Sequence, residues 1–573
     1  MSGGAWPFAD NVVDLMVGKL RQLSVPAQEA LQLAACVGNK FDLRYLRLVS
    51  GRADVEQHLA AAVRESLILR INGSGKFLHD RIQQAAYSLI PEAQRAEVHL
   101  RIGRVLLASM TADKLAEHLF DVANQFNRGA ALVTAQEERE RVAELNLVAG
   151  KRAKSSTAYN SALNYFSAGI KLLGDDQWQS RHDLAYQLGF ERAESEFLNR
   201  HFDECLSQFD ALLDHAGTKL EKANIYRVVV DVYTTKVDIG NAISCGLEAL
   251  RLFDIDISPH PTHDQVVAEY EAIWKSLGDR QIEDLIDLPL MTDAEMKAVM
   301  AILVILFAPS IAADRNLLIL ICCHMVNITI RCGNSDASVM AYGYLGMNLG
   351  PFFGKYMEGF QCGMLGYDLV EKHGLAAYKA KINFIIAFID FWHLPVRRGI
   401  EHLSAAFKAA VDVGDLNIAS YACDHLVSHR LVSGDPLDKV YSESEELSDF
   451  TRRAKFDPSS QIIFRTQRFI QAMQGRTANL STFSAADFDQ EEYEEHIDRY
   501  GWVSVICGYY IMKLQARVMS GDYEAAIAAG AKAKPRLWSI FGMIQEAEYV
   551  FYSALALAAH YHQAAPELQQ AYL

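Results

Sequence analysis

The sequence predicts a mainly α-helical protein whose larger part is a helical repeat. A length of 573 residues is too great for one compact core, so the chain is expected to be modular or quasi-one-dimensional. Its 13 prolines are about half the usual share, which favours long helices over loop-rich β structure. Half of the residues are hydrophobic and 22% are charged, a balance that excludes a wholly disordered chain.

The first 110 residues predict a small module of four helices and a β-hairpin. Capping side chains precede three apolar segments with helical spacing, at Asp10 or Asn11, at Ser24 and at Asp42. A fourth helix is expected over residues 54–65. Residues 67–80, L-I-L-R-I-N-G-S-G-K-F-L-H-D, alternate on both sides of a glycine-rich turn, as two short strands do. Because a further helix is expected from Asp80, the order predicts a winged-helix-like module over residues 1–110.

After Pro91 every strong signal is helical, and paired amphipathic segments indicate helical hairpins. Tetratricopeptide repeats place small residues where the two helices of a hairpin approach closely. Three hairpins fit this pattern with anchors twelve residues apart, and a weaker fourth fits in part: Gly150 with Ala162, Ala193 with Cys205, Val230 with Ala242, and Ala526 in the fourth. The second anchors are 43 and then 37 residues apart instead of about 34, so the repeat is degenerate.

These hairpins predict a tetratricopeptide-like α-solenoid over residues 111–573, either continuous or divided into sub-arrays at 111–290 and 291–573. The alternative is an irregular helical bundle. Helical repeats usually bind peptides or other domains on an extended surface. Protein domains are therefore the partners expected from the architecture, and the oligomeric state stays open.

Charge and cysteine usage limit the function classes. A net charge of −16 repels a phosphate backbone, and the mild net charge of +3 over residues 1–110 is too small to indicate groove binding. We therefore expect no nucleic-acid partner. The nine cysteines are scattered without finger-like spacing, and the N-terminus has no basic flank or apolar run, so a reduced cytoplasmic protein is expected.

The segment closest to a membrane span is 298–313, A-V-M-A-I-L-V-I-L-F-A-P-S-I-A-A. It is sixteen residues long, contains Pro309 and lies between Lys297 and Asp314. A second apolar stretch follows directly. We predict a buried helix pair and no membrane span.

The sequence contains none of the complete catalytic motifs considered below. Residues 72–77, N-G-S-G-K-F, resemble a phosphate loop, but the position of its first glycine is Arg70 and the lysine is followed by Phe77. The sequence has no G-x-S-x-G elbow, no protein-kinase motif set and no H-E-x-x-H. We therefore expect no catalytic residues and no enzyme activity in this chain alone.

Three side-chain clusters can be interpreted either as ordinary structural residues or as functional sites. His425 and His429 have the spacing of two metal ligands on one helix, and Cys322, Cys323 and His324 are adjacent, but neither group has a convincing further ligand. We expect ordinary interhelical side chains and no metal site. Residues 487–498 are strongly acidic, which predicts a solvated loop or helix start, with a surface for a basic partner as the alternative.

Several strings carry a resemblance to a known family. They are F-L-H-D-R-I-Q-Q-A-A-Y-S-L-I-P at 77–91, then H-L-R-I-G-R-V-L-L, D-N-V-V-D-L-M, L-Q-L-A-A-C-V-G-N-K-F-D-L and A-E-L-N-L-V-A-G-K-R-A-K-S-S-T-A-Y. They resemble large bacterial signalling proteins that combine a serine/threonine kinase, an AAA-type ATPase of the signal-transduction (STAND) class, a helical repeat, and a GAF plus sensor histidine kinase end. The resemblance spans nearly the whole chain and implies that it corresponds to the region after the ATPase core.

The resemblance implies a nucleotide-sensing role for His79 and Asp80. In STAND proteins a His-Asp pair of the winged helix commonly approaches the phosphate of ADP and holds the inactive state. The simpler interpretation is that Asp80 is a helix cap and His79 a hairpin residue. Since the phosphate loop is absent here, we expect no cofactor in this chain, and ATP or ADP only in the full-length family context.

Together these observations predict a non-catalytic regulatory or sensor segment of a STAND-type signalling protein. It would bind a partner or signal through the helical repeat and couple it to an ATPase or kinase in cis or in trans. A stand-alone protein-interaction scaffold is the alternative, and part of an ATPase completed in trans is a further one.

Overall fold

The computed structural model describes residues 7–174, 177–566, 569 and 570, and nearly all of their regular structure is helical. The predicted class, an all-α helical repeat, is confirmed. The chain divides into two compact units: unit 1 ends at Gly217 and unit 2 begins at Thr218. The core of unit 1 extends from Leu20 to Leu188, across the predicted limit at residue 110. The limits expected at 110 and 290 therefore stay predictions.

Unit 1 begins with helices around a small sheet. The elements are α1 (Pro7–Arg21), α2 (Val25–Val37), β1 (Lys40–Asp42), α3 (Leu43–Ser50), α4 (Val55–Arg64), β2 (Ile68–Ile71), β3 (Ser74–Phe77) and α5 (Asp80–Ser88). The strands form an antiparallel sheet in the order β1-β3-β2. The glycine-rich run forms the turn between β2 and β3, where Asn72 and Gly73 have positive φ. The winged-helix name for this module stays a prediction.

One strand was missed by sequence analysis. β1 has three residues, too few for alternation to distinguish it from a loop. It pairs with β3 so that Phe41 lies opposite Gly75. A side chain at Gly75 would overlap the Phe41 ring, so the glycine makes room for that ring in the core.

The rest of unit 1 consists of helices that pack in sequence order. They are α6 (Glu92–Ser109), α7 (Ala112–Glu117), α8 (Leu119–Arg128), α9 (Gln136–Ser155), α10 (Tyr159–Leu173), α11 (Gln177–Ser180), α12 (His182–Leu198) and α13 (Phe202–Leu213), with a 3₁₀ turn at Ala130–Leu132. Helices α9 and α10 form one hairpin, and α12 and α13 form the next.

Unit 2 continues with helical hairpins. Its helices are α14 (Lys219–Thr235), α15 (Ile239–Arg251), α16 (His263–Leu277), α17 (Ala294–Ala313), α18 (Arg315–Cys332), α19 (Ser338–Phe353), α20 (Tyr356–His373), α21 (Ala376–Asp390), α22 (Arg397–Val413), α23 (Leu416–Val432), α24 (Leu437–Arg453), α25 (Asp457–Met473), α26 (Gln490–Tyr500), α27 (Val503–Ser520), α28 (Tyr523–Ala533) and α29 (Ile544–His560). Short 3₁₀ segments lie at Ile282–Asp287, Lys534–Ile540 and Tyr561–Gln563.

Local signals explain where several of these helices begin. Thr218 and Glu221 form a reciprocal capping box at α14, and the Asp314 carboxylate accepts from the first backbone amides of α18. The backbones of α19 and α20 approach each other closely. A Cβ at Gly346 would lie 2.6 Å from the Gly359 carbonyl oxygen, so glycine is required there.

Helices α17 and α18 are the apolar pair expected from the sequence. Each is long and apolar enough to cross a membrane, and 44% of α17 and 72% of α18 are buried in the structure over the most apolar window. Both contribute to the large core of unit 2. The absence of a membrane span stays a prediction.

Candidate functional site

Unit 2 contains a cavity of about 750 Å³ among its helices. Its wall is formed by α17, α18, α19, α21, α23, α25 and α27 and by the segment that leads into α29. Most of the wall is apolar, and representative side chains are Phe307, Ile311, Met347, Phe384, Ile418 and Met543. A cavity of this size can hold a drug-sized molecule.

Aromatic contacts fix the shape of the wall. The rings of Phe307 and Tyr344 are stacked with centroids 3.5 Å apart, which joins α17 to α19. The Phe388 ring of α21 meets His425 of α23 edge-on at 4.6 Å. Burial lowers the pKa of His425 to about 3, so this imidazole is neutral at physiological pH. The Phe307–Tyr344 and Phe388–His425 ring contacts thus set the spacing between neighbouring helices of the wall.

The most unusual wall residue is Arg465 on α25, whose side chain is only 3% exposed. Its Nη1 donates to the backbone oxygens of Ser504 and Val505, each at 2.7 Å, in the first turn of α27. A side chain at Gly508 would overlap the guanidinium, so glycine provides its space. Its Nε is buried and has no hydrogen-bond partner, which is uncommon for a buried donor.

The charge of Arg465 is not neutralised by a close carboxylate. In the part of the chain that the structure describes, no Asp or Glu oxygen lies within 4.0 Å of its guanidinium. Asp424 and Glu548 act on it from farther away, and burial raises the pKa of each to about 7. Both carboxyls therefore carry only part of a negative charge near neutral pH, and neither forms a close ion pair with Arg465.

Other polar groups in the wall strengthen this pattern. Arg315 and Lys381 add two further cations, and the carboxylate of the wall, Asp314, caps α18 and pairs with His260 at 3.1 Å. Gln545 is 5% exposed, and its Oε1 has no hydrogen-bond partner. The wall thus combines a large apolar surface with an excess of positive charge.

The nucleotide-sensing candidates, His79 and Asp80, lie together in unit 1 and are exposed. His79 is the N-cap of α5, and its Nδ1 accepts a hydrogen bond from the Arg81 backbone amide at 3.1 Å. The capping side chain is therefore His79 and not Asp80. The Asp80 carboxylate instead accepts from the Asn39 side-chain amide at 2.5 Å. The nucleotide-sensing role of both residues stays a prediction.

The repeat-packing candidates are all buried in their helices: Gly150, Ala162, Ala193, Cys205, Val230, Ala242 and Ala526. At one of them the reason for a small residue is direct. A side chain at Gly150 of α9 would overlap the ring of Phe166 on α10. Their place in a tetratricopeptide pattern stays a prediction.

The histidine and cysteine groups have protein partners. The His429 ring contacts the backbone oxygens of His425 and Ala387, and His324 pairs with Glu269 at 3.0 Å. Cys322 and Cys323 are fully buried thiols. Among the described residues, no group of three or more His, Cys, Asp and Glu side chains is arranged to hold a metal ion.

The acidic run begins helix α26, with Asp489 as its N-cap. Three of its carboxylates contact side chains outside the run, and one of them, Asp487, pairs with Arg468 at 3.4 Å. Glu494 pairs with Lys513, and Asp498 accepts a hydrogen bond from the Tyr510 hydroxyl at 2.9 Å. The helix start expected from the sequence therefore also has a structural role.

Sequence analysis missed Arg465 and Gln545. Arg465 occurs in the amphipathic helix α25, where an arginine is usually a surface residue. The one available signal is Gly508, a glycine within the apolar helix α27. That signal predicts a close approach but does not say which side chain makes it.

Comparisons with known proteins find one distant relative in sequence. The chain is 25% identical over 553 residues to hybrid signal transduction histidine kinase G of Dictyostelium discoideum, an alignment that covers 82% of this chain and 16% of that protein. The chain thus spans less than a fifth of its relative's length. No family model matches the chain.

Two solved structures are similar at low identity. One is a Signal Transduction ATPase with Numerous Domains (STAND) protein with a tetratricopeptide repeat sensor from Pyrococcus horikoshii, with 13% identity, a TM-score of 0.41, and coverage of 88% of this chain and 66% of that one. The other is a Rap protein complexed with Competence and Sporulation Factor, with 14% identity, a TM-score of 0.32, and coverage of 67% and 99%.

Proposed function

We propose that this chain is a non-catalytic sensor segment that binds a signal in the cavity of unit 2 and couples its occupancy to an ATPase or kinase. The observation that carries the proposal is the cavity itself. It is large and mainly apolar, and it holds a buried arginine whose Nε is unpaired. Unpaired buried polar groups in an apolar cavity are typical of a ligand site.

The coupling part of the proposal draws support from the relatives. The distant relative is by its name a hybrid signal transduction histidine kinase. The motifs at residues 77–91 resemble the region that follows the ATPase core in STAND-type proteins. A kinase or ATPase, in the same polypeptide or in a partner, is therefore the output that we propose.

The geometry of His79 is compatible with a nucleotide role. Because its Nδ1 accepts from the Arg81 amide, the neutral ring carries its proton on Nε2. That exposed N–H can donate to a phosphate oxygen held by another domain. The order of helices and strands from α2 to β3 supports the winged-helix interpretation of this module.

A signal can act through the cavity because its wall comes from many helices. A ligand that contacts α17, α21 and α25 together favours whichever arrangement of these helices fits it best. Occupancy shifts an equilibrium only if the contacts differ between two arrangements. The wall helices are therefore the element whose arrangement would report binding.

The test fills the cavity and measures the output. Ala308 is exposed, lies on α17 and lines the cavity, so Ala308→Trp should block the site without disturbing the core. In the protein that carries this segment with its ATPase or kinase partner, we expect this variant to abolish the response of ATP turnover or phosphorylation to cell extract.

Ala405→Trp is the matched control, since Ala405 is exposed on α22 and does not line the cavity. It should keep the response. A response of equal size in Ala308→Trp would contradict the sensor function.

The second candidate is a stand-alone interaction scaffold. It is favoured by exposed apolar side chains on α29, where Val550 and Phe551 are prominent. The scaffold function would be supported if the Ala308→Trp variant still bound a protein partner and no partner was a kinase or an ATPase.

A further inference from the structure

We infer that the ligand of the unit 2 cavity is an amphipathic carboxylic acid, with an apolar body between the helices and a carboxylate bound by the Arg465 guanidinium. This inference rests on the proposed function and names the chemical class of the signal.

The size and lining of the cavity define the body of the ligand. A volume of about 750 Å³ exceeds what water or a small ion needs and falls in the range of sites for drug-sized molecules. Aromatic and aliphatic side chains from α17, α19 and α21 form most of the surface. An acyl chain or a ring system would therefore bind favourably, because its apolar surface is removed from water. A polar metabolite has little apolar surface to bury.

The guanidinium of Arg465 defines the head of the ligand. Its Nη1 is engaged with the carbonyl oxygens of Ser504 and Val505, whereas its Nε has no partner. The Nε and Nη2 atoms form the edge of a guanidinium that binds a carboxylate with two parallel hydrogen bonds. One such edge suits a single carboxylate better than a neutral hydroxyl or amide.

The charge around the cavity favours an anion over a neutral ligand. The cations Arg315, Lys381 and Arg465 line it, and the Asp314 carboxylate is already committed to α18 and His260. This local excess of positive charge occurs in a chain with a net charge of −16. A cationic ligand would be repelled from the wall, and a neutral one would gain no attraction from these cations.

Gln545 offers a second polar contact. The residue is part of the same lining, and its Oε1 is buried without a hydrogen-bond partner. An amide or hydroxyl hydrogen on the body of the ligand would satisfy it. Such a donor would distinguish the natural ligand from a plain fatty acid.

The experiment uses the purified chain, stripped of bound lipid, and dansyl-undecanoic acid as the probe. Fluorescence titration compares this acid with its methyl ester, which has the same body but no charge. We expect the acid to bind at least tenfold more tightly than the ester. Ala308→Trp should abolish binding of both, and Ala405→Trp should leave both unchanged.

Arg465→Met should weaken the acid at least tenfold and leave the ester as it is. Circular dichroism checks that the variant folds. If it does not, Arg465→Lys, which keeps the charge but removes the two-pronged edge, takes its place and should also weaken the acid selectively. The comparison of acid and ester on the unchanged protein tests the inference in either case.

Three results would overturn the inference. Equal binding of acid and ester, with both blocked by Ala308→Trp, would mean that the cavity takes an apolar ligand, which leaves the sensor function standing. Failure of the acid to bind, or binding that Ala308→Trp does not affect, would refute the carboxylate class. The response of ATP turnover or phosphorylation to the Ala308→Trp change then decides the sensor function separately.

Discussion

The α9–α10 hairpin of unit 1 and the cavity wall of unit 2 are built from the same kind of helix but pack in opposite ways. In the hairpin, Gly150 lets the Phe166 ring of the next helix lie directly against the backbone, and no space remains. In the wall, large side chains such as Phe307 and Tyr344 stack on each other and hold helices apart. The size of the facing side chains therefore decides whether helices close up or leave a cavity.

The two units also differ in how buried polar groups are satisfied. In unit 1, Asn146 and Asn127 bond to each other reciprocally at 2.8 and 2.9 Å, and His99 meets Gln125 at 2.7 Å. Among the described residues, one buried side-chain polar atom of unit 1 lacks a partner, against thirteen in unit 2. Unit 2 therefore carries the polar groups that a ligand can still satisfy.

The largest expected effect on the free energy of unfolding comes from placing a large side chain in the tight α9–α10 hairpin of unit 1. Gly150→Leu forces a side chain into the Phe166 ring and should lower the free energy of unfolding by about 3 kcal/mol or more. Ala308→Leu, at the cavity, should change it by less than about 0.5 kcal/mol. Urea unfolding followed by circular dichroism measures both, and equal losses would refute the comparison.

The next effect concerns an unsatisfied group of unit 2. Asp390 is 1% exposed, and burial raises its pKa to about 6. Neither of its carboxylate oxygens has a hydrogen-bond partner, and His402 Nε2 lies 3.6 Å from Oδ2. Because the folded-state pKa is above the unfolded value of about 3.9, the folded chain binds this proton more tightly. The contribution of this carboxyl to stability is then complete below about pH 4 and is lost as the pH rises through about 6.

Asp390→Asn should remove that loss. We expect the variant to match the original protein near pH 4 and to be about 2–3 kcal/mol more stable at about pH 8. Thermal unfolding across this pH range checks the difference. A pH-independent effect at Asp390 would contradict the assignment.

A smaller effect is expected where unit 1 satisfies its polar groups. Asn146→Ala removes both hydrogen bonds with Asn127 and should cost about 1–2 kcal/mol. Adding Asn127→Ala should recover part of this cost, because the unpaired partner is then removed as well. A double-mutant cycle by urea unfolding measures the coupling, and strictly additive losses would argue against the pair.

The smallest effect is expected at an ion pair between hairpins of unit 1. Lys154 of α9 contacts Glu191 and Glu194 of α12, and its side chain is partly exposed. Lys154→Met should therefore cost less than about 1 kcal/mol. Unfolding at low salt and at about 1 M salt checks it, since the difference should shrink with screening; a salt-independent loss would indicate lost packing instead.

Features that depend on near neighbours in the chain were determined by the sequence itself. Helical spacing gave the class, Asn72 and Gly73 gave the hairpin turn, and the small residue at Gly150 marked a close approach between helices. Each of these signals is carried by residues within a turn or two of each other. Strand β1 was not predicted, because a segment of three residues is too short to show the alternation of a strand.

The cavity and its buried arginine were decided only by the tertiary structure. Its wall runs from Phe307 to Gln545 along the chain, and no local pattern says which of those helices leave a gap. Arg465 has the sequence context of a surface residue, yet packing around Gly508 buries it. Spacing fixes which face of a helix is apolar, but only long-range packing decides what that face meets.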